Sequence, residues 1–117
     1  MKIAMPVKTN QENPIVSPLF GKAKWFAFVE NGEVRIVPNE YKSGLRVVEW
    51  LLEENIDALI VQHIGESPYT YLKEASDIPL FYAGDAPISL KEAIEKFDDE
   101  TLLIIDDTNV DQFVKHH

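Results

Sequence analysis

A β-hairpin near residue 31 constrains the fold of this chain more than any other segment. Trp25–Glu30 and Glu33–Pro38 are rich in aromatic and β-branched residues, which are enriched in strands. Asn31-Gly32 lies between them and is a typical sequence of a two-residue type I′ turn. The segment therefore predicts two antiparallel strands, and the chain must build a sheet around them.

Helix and strand patterns alternate after the hairpin. The predicted elements are, in order, a helix at 43–54, a strand at Ala58–Val61, a helix at 67–75, a strand at 78–82, a helix at 90–98 and a strand at 101–105. Ser43, Ser67 and Ser89 stand at the expected N-cap positions of the three helices. With a first strand at Lys2–Val7, this order predicts an α/β fold in which helices cover a mixed sheet.

Composition limits the kinds of site that the chain can hold. None of the 117 residues is cysteine, which excludes disulfides and cysteine-ligated metal sites in this chain. The net charge of −9 argues against a nucleic-acid partner. Residues 1–48 hold seven basic and four acidic side chains, whereas residues 49–117 hold four basic and sixteen acidic ones. Either the second half exposes solvated helix faces, or the N-terminal loops form a locally positive site.

The sequence also predicts the number of domains and the cellular location of the protein. A chain of 117 residues has the size of one domain. No apolar stretch approaches the roughly 20 residues needed to cross a bilayer, and the N-terminus lacks the pattern of a signal peptide. We therefore expect a cytoplasmic protein with no membrane partner. The final pair His116-His117 can be native or the remnant of a purification tag.

Two segments are expected at the carboxyl ends of the strands, where open α/β sheets bind ligands. One is the long loop 8–24, which carries Lys8 and Lys22. The other is the turn 63–67, which leads into a helix whose N-terminal N–H groups favour an anion. His63 in this turn is either a metal ligand, hydrogen-bond donor or proton shuttle, or a histidine satisfied by a backbone carbonyl. No second His, Asp or Glu lies at i+2 or i+4 from it, so a self-contained metal motif is lacking.

Catalytic motifs are absent from the sequence. No serine lies in a G-x-S-x-G nucleophile elbow. Asp98-Asp99 and Asp106-Asp107 are adjacent pairs whose side chains diverge on a helix or a strand, so solvated helix ends explain them better than acid–base chemistry. The sequence therefore predicts that the chain is not an enzyme.

One loop resembles a known family. The run Ser17-Pro18-Leu19-Phe20-Gly21-Lys22-Ala23 is similar to the Ser-Pro-x-Phe-Gly-x-Ala pattern of the dinitrogenase iron–molybdenum cofactor biosynthesis family, where it also precedes a hairpin. The similarity covers about residues 1–98. It implies a ribonuclease H-like three-layer fold, with a mixed five-stranded sheet, the hairpin arms beside the first strand and helices on both faces. It also implies a cofactor-binding-like domain at 1–98. The C-terminal extension at 99–117 has no counterpart in the family pattern, and we expect it to cover a sheet edge or make a dimer contact.

The resemblance implies that the protein binds or carries an anionic iron–sulfur-based cluster, such as the iron–molybdenum cofactor or a precursor. The candidate cofactor-binding residues are Lys8, Ser17, Phe20, Lys22, Gly65 and Ser67, and the candidate metal ligand is His63. Relatives often carry a histidine and glycines before the first helix, where this chain has Lys42-Ser43-Gly44. Cofactor-assembly proteins and a second copy of the chain are further expected partners.

Two other functions remain open at this point. A protein-interaction or regulatory domain without a small ligand would use the acidic second half to meet a basic partner. A hydrolase is the least favoured class, because the first strand, Ile3-Ala4-Met5-Pro6-Val7, carries none of the acidic side chains that metal-dependent nucleases of the ribonuclease H-like fold need.

Overall fold

The predicted hairpin is present in the computed structural model, which describes residues 1–115. β2 (Trp25–Glu30) and β3 (Glu33–Pro38) pair antiparallel, and Asn31 and Gly32 between them have φ angles of 53° and 80°. These left-handed angles are the ones that a type I′ turn requires. β2 also pairs antiparallel with β1 (Lys2–Val7), so that the hairpin extends the sheet on one side of the first strand.

The remaining helices and longer strands follow the predicted order, and two strands of two residues each are added that the sequence did not predict. In chain order, the elements after the hairpin are α1 (Gly44–Glu53), β4 (Ala58–Val61), β5 (Ile64–Gly65), α2 (Glu66–Ala75), β6 (Leu80–Tyr82), α3 (Leu90–Asp98), β7 (Leu103–Ile105), a 3₁₀ turn (Val110–Gln112) and β8 (Val114–Lys115). Ser43 Oγ accepts a hydrogen bond from the Arg46 amide and caps α1 as predicted. Asn55, with a φ of 59°, follows the end of this helix. The pair His116-His117 lies outside the described residues.

The predicted start of α2 is wrong by two residues. Gly65 is the N-cap of α2, and Ser67 lies inside the first turn. The cause is a short strand that sequence patterns do not reveal, since Ile64–Gly65 pairs in parallel with Val114–Lys115. The backbone is therefore extended up to Gly65, with φ −73° and ψ 159°, and the helix begins directly after it.

The sheet has six strands in the order β3-β2-β1-β4-β6-β7, so the prediction of five strands is wrong. The sixth strand is β7, which belongs to the C-terminal extension and pairs antiparallel with the outer edge of β6. β1, β4 and β6 are parallel to one another. Their carboxyl ends therefore lie at the same edge of the sheet.

Each face of the sheet carries its own hydrophobic core, because successive side chains of a strand point to opposite faces. α1 and α2 cover the face that holds Phe26, Phe28 and Leu59. α3 covers the other face and contributes Leu90 and Ala93. The fold is therefore a mixed α/β fold with helices on both faces of the sheet. Among residues 1–115, no helix combines the length and the apolarity needed to cross a membrane.

A charged cluster joins β1, β3 and the end of α1. The Glu54 carboxylate accepts hydrogen bonds from Arg35 Nη2 at 2.6 Å and from Lys2 Nζ at 3.1 Å. Both cations lie over the Phe28 ring, with Arg35 Cζ at 4.7 Å from its centroid and Lys2 Nζ at 5.6 Å. The hydrogen bond from Arg35, followed by that from Lys2, lowers the pKa of Glu54 below its usual value of 4.5.

We expect Glu54→Gln to lower the free energy of unfolding by about 1 kcal/mol at neutral pH, the upper end for partly exposed ion pairs. Because folding lowers the pKa of Glu54, its contribution is present above the usual value of 4.5 and is lost as the pH falls through the folded-state pKa. Chemical denaturation at a series of acidic pH values measures the difference between wild type and variant. Glu53→Gln changes an exposed neighbour and is the control. A Glu54→Gln difference that does not shrink toward acid pH would contradict this account.

Candidate functional site

A cleft with a cavity volume of about 460 Å³ lies beside the carboxyl end of β4. Three segments line it: residues 18–22 of the long loop, residues 42–44 at the start of α1, and residues 63–68, which include β5 and the first turn of α2. The two segments that the sequence places at this edge of the sheet therefore meet there. This is the position at which open α/β sheets bind ligands.

The three walls of the cleft approach one another closely at two glycines, Gly21 and Gly44. A Cβ on Gly21 would lie 2.7 Å from the backbone nitrogen of Gly44. A Cβ on Gly44 would lie 2.6 Å from Cγ of Pro68 in α2. Both distances are shorter than nonbonded carbon contacts allow, so a larger residue at either position would push two walls apart.

Positive charge collects at the cleft. Lys22 and Lys42 line it together with His63, and Glu66 is the one carboxylate among its lining residues in the described part of the chain. α1 begins at Gly44 and α2 at Glu66, so the positive ends of two helix dipoles fall on the same cavity. The N-cap residue of α2, Gly65, makes no side-chain capping bond. The arrangement favours an anionic ligand.

Part of the cleft lining is apolar. Its apolar residues are Pro18, Leu19, Phe20, Ile64 and Pro68. The Phe20 side chain is buried and packs edge-on against Phe26, with ring centroids 5.7 Å apart, so it anchors the loop as well as lining the cavity. Apolar walls with a few placed polar groups are typical of small-molecule sites.

Five of the seven candidate site residues line this cleft, namely Phe20, Lys22, His63, Gly65 and Ser67. Lys8 and Ser17 are not among its lining residues. Lys8 is exposed, and its amide donates to the Ile15 carbonyl at 2.9 Å. Ser17 is buried, and its Oγ accepts a hydrogen bond from the Leu19 amide at 3.1 Å. In the structure Ser17 therefore shapes the loop that carries the cleft wall.

Three further residues line the cleft that no sequence pattern assigns to a site, namely Lys42, Ser43 and Gly44. Their position follows from connectivity. α1 leads directly into β4, whose partner β1 is parallel to it, so α1 runs back along the sheet and begins near the carboxyl ends of the strands. Applied to the predicted helix at 43–54, this rule would have placed Lys42 at the site.

Two side chains that line the cleft, the His63 imidazole and the Glu66 carboxylate, are of a type that can donate to a metal ion. His63 is half-buried in the wall. Within residues 1–115, no group of three or more His, Cys, Asp or Glu side chains is placed to hold a metal ion. A ligand in this cleft would therefore be held mainly by charge, hydrogen bonds and apolar contact, with the His63 imidazole as one available donor to a metal.

The fold and the cleft together define a class of protein: a three-layer α/β domain with a cationic, partly apolar cleft at the carboxyl ends of its parallel strands. A model of the family described as dinitrogenase iron-molybdenum cofactor matches residues 1–100. The chain belongs to this family.

Solved structures share the fold. A candidate NifB protein from Thermotoga, determined by NMR, is 24% identical, with a TM-score of 0.73 over 88% of this chain and 91% of that one. The apo form of the orange protein from Desulfovibrio gigas is 19% identical, with a TM-score of 0.79 over 89% of this chain and 92% of that one. At these identities the likeness shows the fold alone. A search of curated proteins finds no match.

We expect Gly44→Ala to destabilise the protein by roughly 1–3 kcal/mol, the usual cost of overpacking, because its Cβ would meet Pro68 at 2.6 Å. Helix propensity alone predicts the opposite sign, since alanine is favoured over glycine by about 1 kcal/mol inside a helix. Thermal and chemical denaturation measure the change. Gly65→Ala is the matched control, because its Cβ would stand at an ordinary 3.4 Å from the same proline. Stabilisation by Gly44→Ala would show that the walls are not tightly packed.

Proposed function

We propose that this protein binds and carries an anionic iron–sulfur-based cluster, of the iron–molybdenum cofactor type or a precursor of it, in the cleft. The observation that carries the proposal is the convergence of Lys22, Lys42 and two helix N-termini on one partly apolar cavity. Membership of the dinitrogenase iron-molybdenum cofactor family supports this class of ligand. Cofactor-assembly proteins that deliver or receive the ligand are the partners that this role requires.

The composition of the chain determines the mode of binding that we propose. Iron–sulfur clusters assembled on a protein are usually held by cysteine thiolates, and this chain has no cysteine. The ligand would therefore arrive as a preformed anion. Its sulfur atoms would accept hydrogen bonds from the lysine ammonium groups and the Ser67 hydroxyl, and Leu19 and Phe20 would cover its less polar surface.

We further propose that the fold is of the ribonuclease H-like type and that the chain is not an enzyme. The strand order β3-β2-β1-β4-β6, with the hairpin arms beside the first strand, supports the fold assignment. The side chains of Ile3, Ala4 and Met5 in β1 are buried in the two cores. The central strand thus supplies hydrophobic contacts instead of the carboxylates of a two-metal nuclease, which supports a binding function.

Anaerobic titration with tetrathiomolybdate, a dianionic molybdenum–sulfur species, tests the charge of the site. We expect saturable binding that Lys22→Gln and Lys42→Gln each weaken by roughly 3- to 10-fold, the loss of about 1 kcal/mol expected for a partly solvated charge contact. Added salt should weaken binding to the wild type more than to these variants. Lys91→Gln is the matched control, because Lys91 is an exposed lysine on α3, which packs on the other face of the sheet.

Two results would contradict the proposal. Equal binding by the Lys22, Lys42 and Lys91 variants would place the anion elsewhere on the protein. Absence of saturable binding to the wild type would remove the anionic ligand and would favour the alternative function.

The role of His63 is tested by adding ferrous iron to the same titration. If the imidazole coordinates iron, His63→Ala and His63→Gln should both weaken binding of the iron–thiomolybdate species by about tenfold, close to the typical effect of losing one group that supports a metal site. Both variants should bind tetrathiomolybdate alone nearly as well as the wild type does. Rescue by glutamine would instead assign His63 as a hydrogen-bond donor, and unchanged binding in both variants would remove it from the site.

The alternative is a protein-interaction domain without a small ligand. An open groove between α1 and α2 supports it, since the groove is lined by Glu49 and Glu74 together with the exposed Leu45. It shares Glu66 and Ser67 with the cleft. A basic partner bound in this groove would therefore stand next to the ligand, so the groove is also compatible with a carrier.

A further inference from the structure

The C-terminal extension contacts the cleft wall that is formed by residues 63–67. The family match ends at residue 100, and the segment 103–115, here called the strap, continues beyond it. The strap begins with β7 at the sheet edge and ends with β8, where Val114 pairs with Ile64 and Lys115 with Gly65. No strap residue is among those that line the cleft. The wall formed by residues 63–67 therefore borders the cleft and also contacts the strap, which itself does not line the cleft.

Side-chain contacts fix the strap to the domain on the way to the wall. Tyr69 Oη in α2 donates a hydrogen bond to Asp107 Oδ1 at 2.9 Å. Burial, followed by the Asp107 carboxylate, raises the pKa of Tyr69 to about 12, so the phenol remains a donor at physiological pH. Phe113 then packs on the ring of Tyr82 in β6, with centroids 4.3 Å apart.

A hydrogen-bonded turn redirects the strap from the sheet edge toward the wall. Asp106 accepts hydrogen bonds from the amide and the hydroxyl of Thr108, at 2.9 and 2.5 Å. Asn109 Nδ2 donates to the Ile104 carbonyl at 2.9 Å. These bonds define the bend between β7 and the 3₁₀ turn, so the path of the strap is set by its own residues.

The backbone partner of the wall's short strand comes from the strap. β5 consists of two residues. It pairs with β8 in a two-stranded sheet that is separate from the six-stranded one. Gly65 gives α2 no side-chain cap. Ile64 is almost completely buried and shares a core cluster with Val114. Without the strap, Ile64 would lose both its backbone partner and part of its cover, directly beside His63.

We propose that the strap positions the cleft wall, with Phe113 and Val114 as the positioning residues, and that it thereby sets the affinity of the cleft for its ligand. The affinity part rests on the proposed function, whereas the positioning part concerns the protein alone. The strap adds to a family domain a support that the first 100 residues do not contain.

Hydrogen exchange tests the positioning part without any ligand. A chain that ends at Asp111 lacks Phe113 and β8 but keeps β7 and the Tyr69–Asp107 hydrogen bond. We expect the β5 amides of this shortened chain, those of Ile64 and Gly65, to exchange at least about tenfold faster than in the wild type, with unchanged exchange in β4, because local opening differs from global unfolding. Phe113→Ala should give a smaller effect of the same kind, and Phe113→Leu should restore part of the protection.

Two controls separate the strap from other effects. A chain that ends at Lys115 keeps β8 and loses His116 and His117, and Ile104→Ala truncates an exposed strap residue on β7. Both should exchange like the wild type. Unchanged exchange of the β5 amides in the chain ending at Asp111 would overturn the proposal. An equal increase in β4 in both the shortened chain and Phe113→Ala would also overturn it, because the strap would then stabilise the whole fold.

Anaerobic titration with tetrathiomolybdate tests the affinity part on the same set of proteins. We expect about tenfold weaker binding by the chain ending at Asp111 and wild-type binding by both controls. Faster wall exchange with unchanged affinity would overturn the affinity part alone. If the wild type does not bind the probe, the proposed function fails, and the exchange experiment still decides whether the strap positions the wall.

Discussion

The position of β1 between an antiparallel neighbour and a parallel neighbour is the constraint on which the rest of the structure depends. The hairpin pairs with one edge of β1 in the antiparallel sense, and β4 pairs with the other edge in the parallel sense. A parallel neighbour requires a crossover, and α1 provides it. This crossover brings the N-terminus of α1 to the edge where β1 and β4 end. The long loop leaves β1 at that edge and α2 follows β4 there, so three chain segments meet around one cavity.

The sequence predicts the parts of this fold that are encoded locally. Asn31-Gly32 encodes the hairpin, Ser43 encodes the start of α1, and Asn55 encodes its end, because each acts through its own backbone or a neighbour a few residues away. The sequence also indicates a strand near residue 103 but not its place as a sixth strand, since pairing with β6 is a non-local contact. Gly65 as the start of α2 was missed for the same reason, because a partner some 50 residues further along the chain extends its backbone.

The same limit applies to the candidate site: composition indicates that a positive site can exist, whereas the three-dimensional structure decides which residues line it. The uneven charge of the two halves left two interpretations open, namely solvated helix faces in the second half or a locally positive site in the N-terminal loops. In the structure, Lys22 and Lys42 line the cleft, whereas Lys8 lies outside its lining. Charge counts could not separate these lysines, because their distances from the cavity depend on the path of the loop and the direction of α1. The Ser-Pro-x-Phe-Gly pattern that ends at Gly21 is more informative. Because Gly21 has no side chain, its backbone can contact Gly44.

On the proposal that the strap positions the cleft wall, different parts of the chain determine the rigidity of the cleft wall and the chemistry of the cleft lining. The residues that line the cavity belong to the first 68 positions and to the part of the chain that matches the family. The strap residues that pair with the wall, Val114 and Lys115, lie beyond that match. Substitutions in the strap can therefore alter the rigidity of the wall without altering the charges or shapes that the ligand meets. Because a preformed wall binds at a lower entropic cost than a mobile one, such changes would tune the affinity while leaving the chemical selectivity of the cleft as it is.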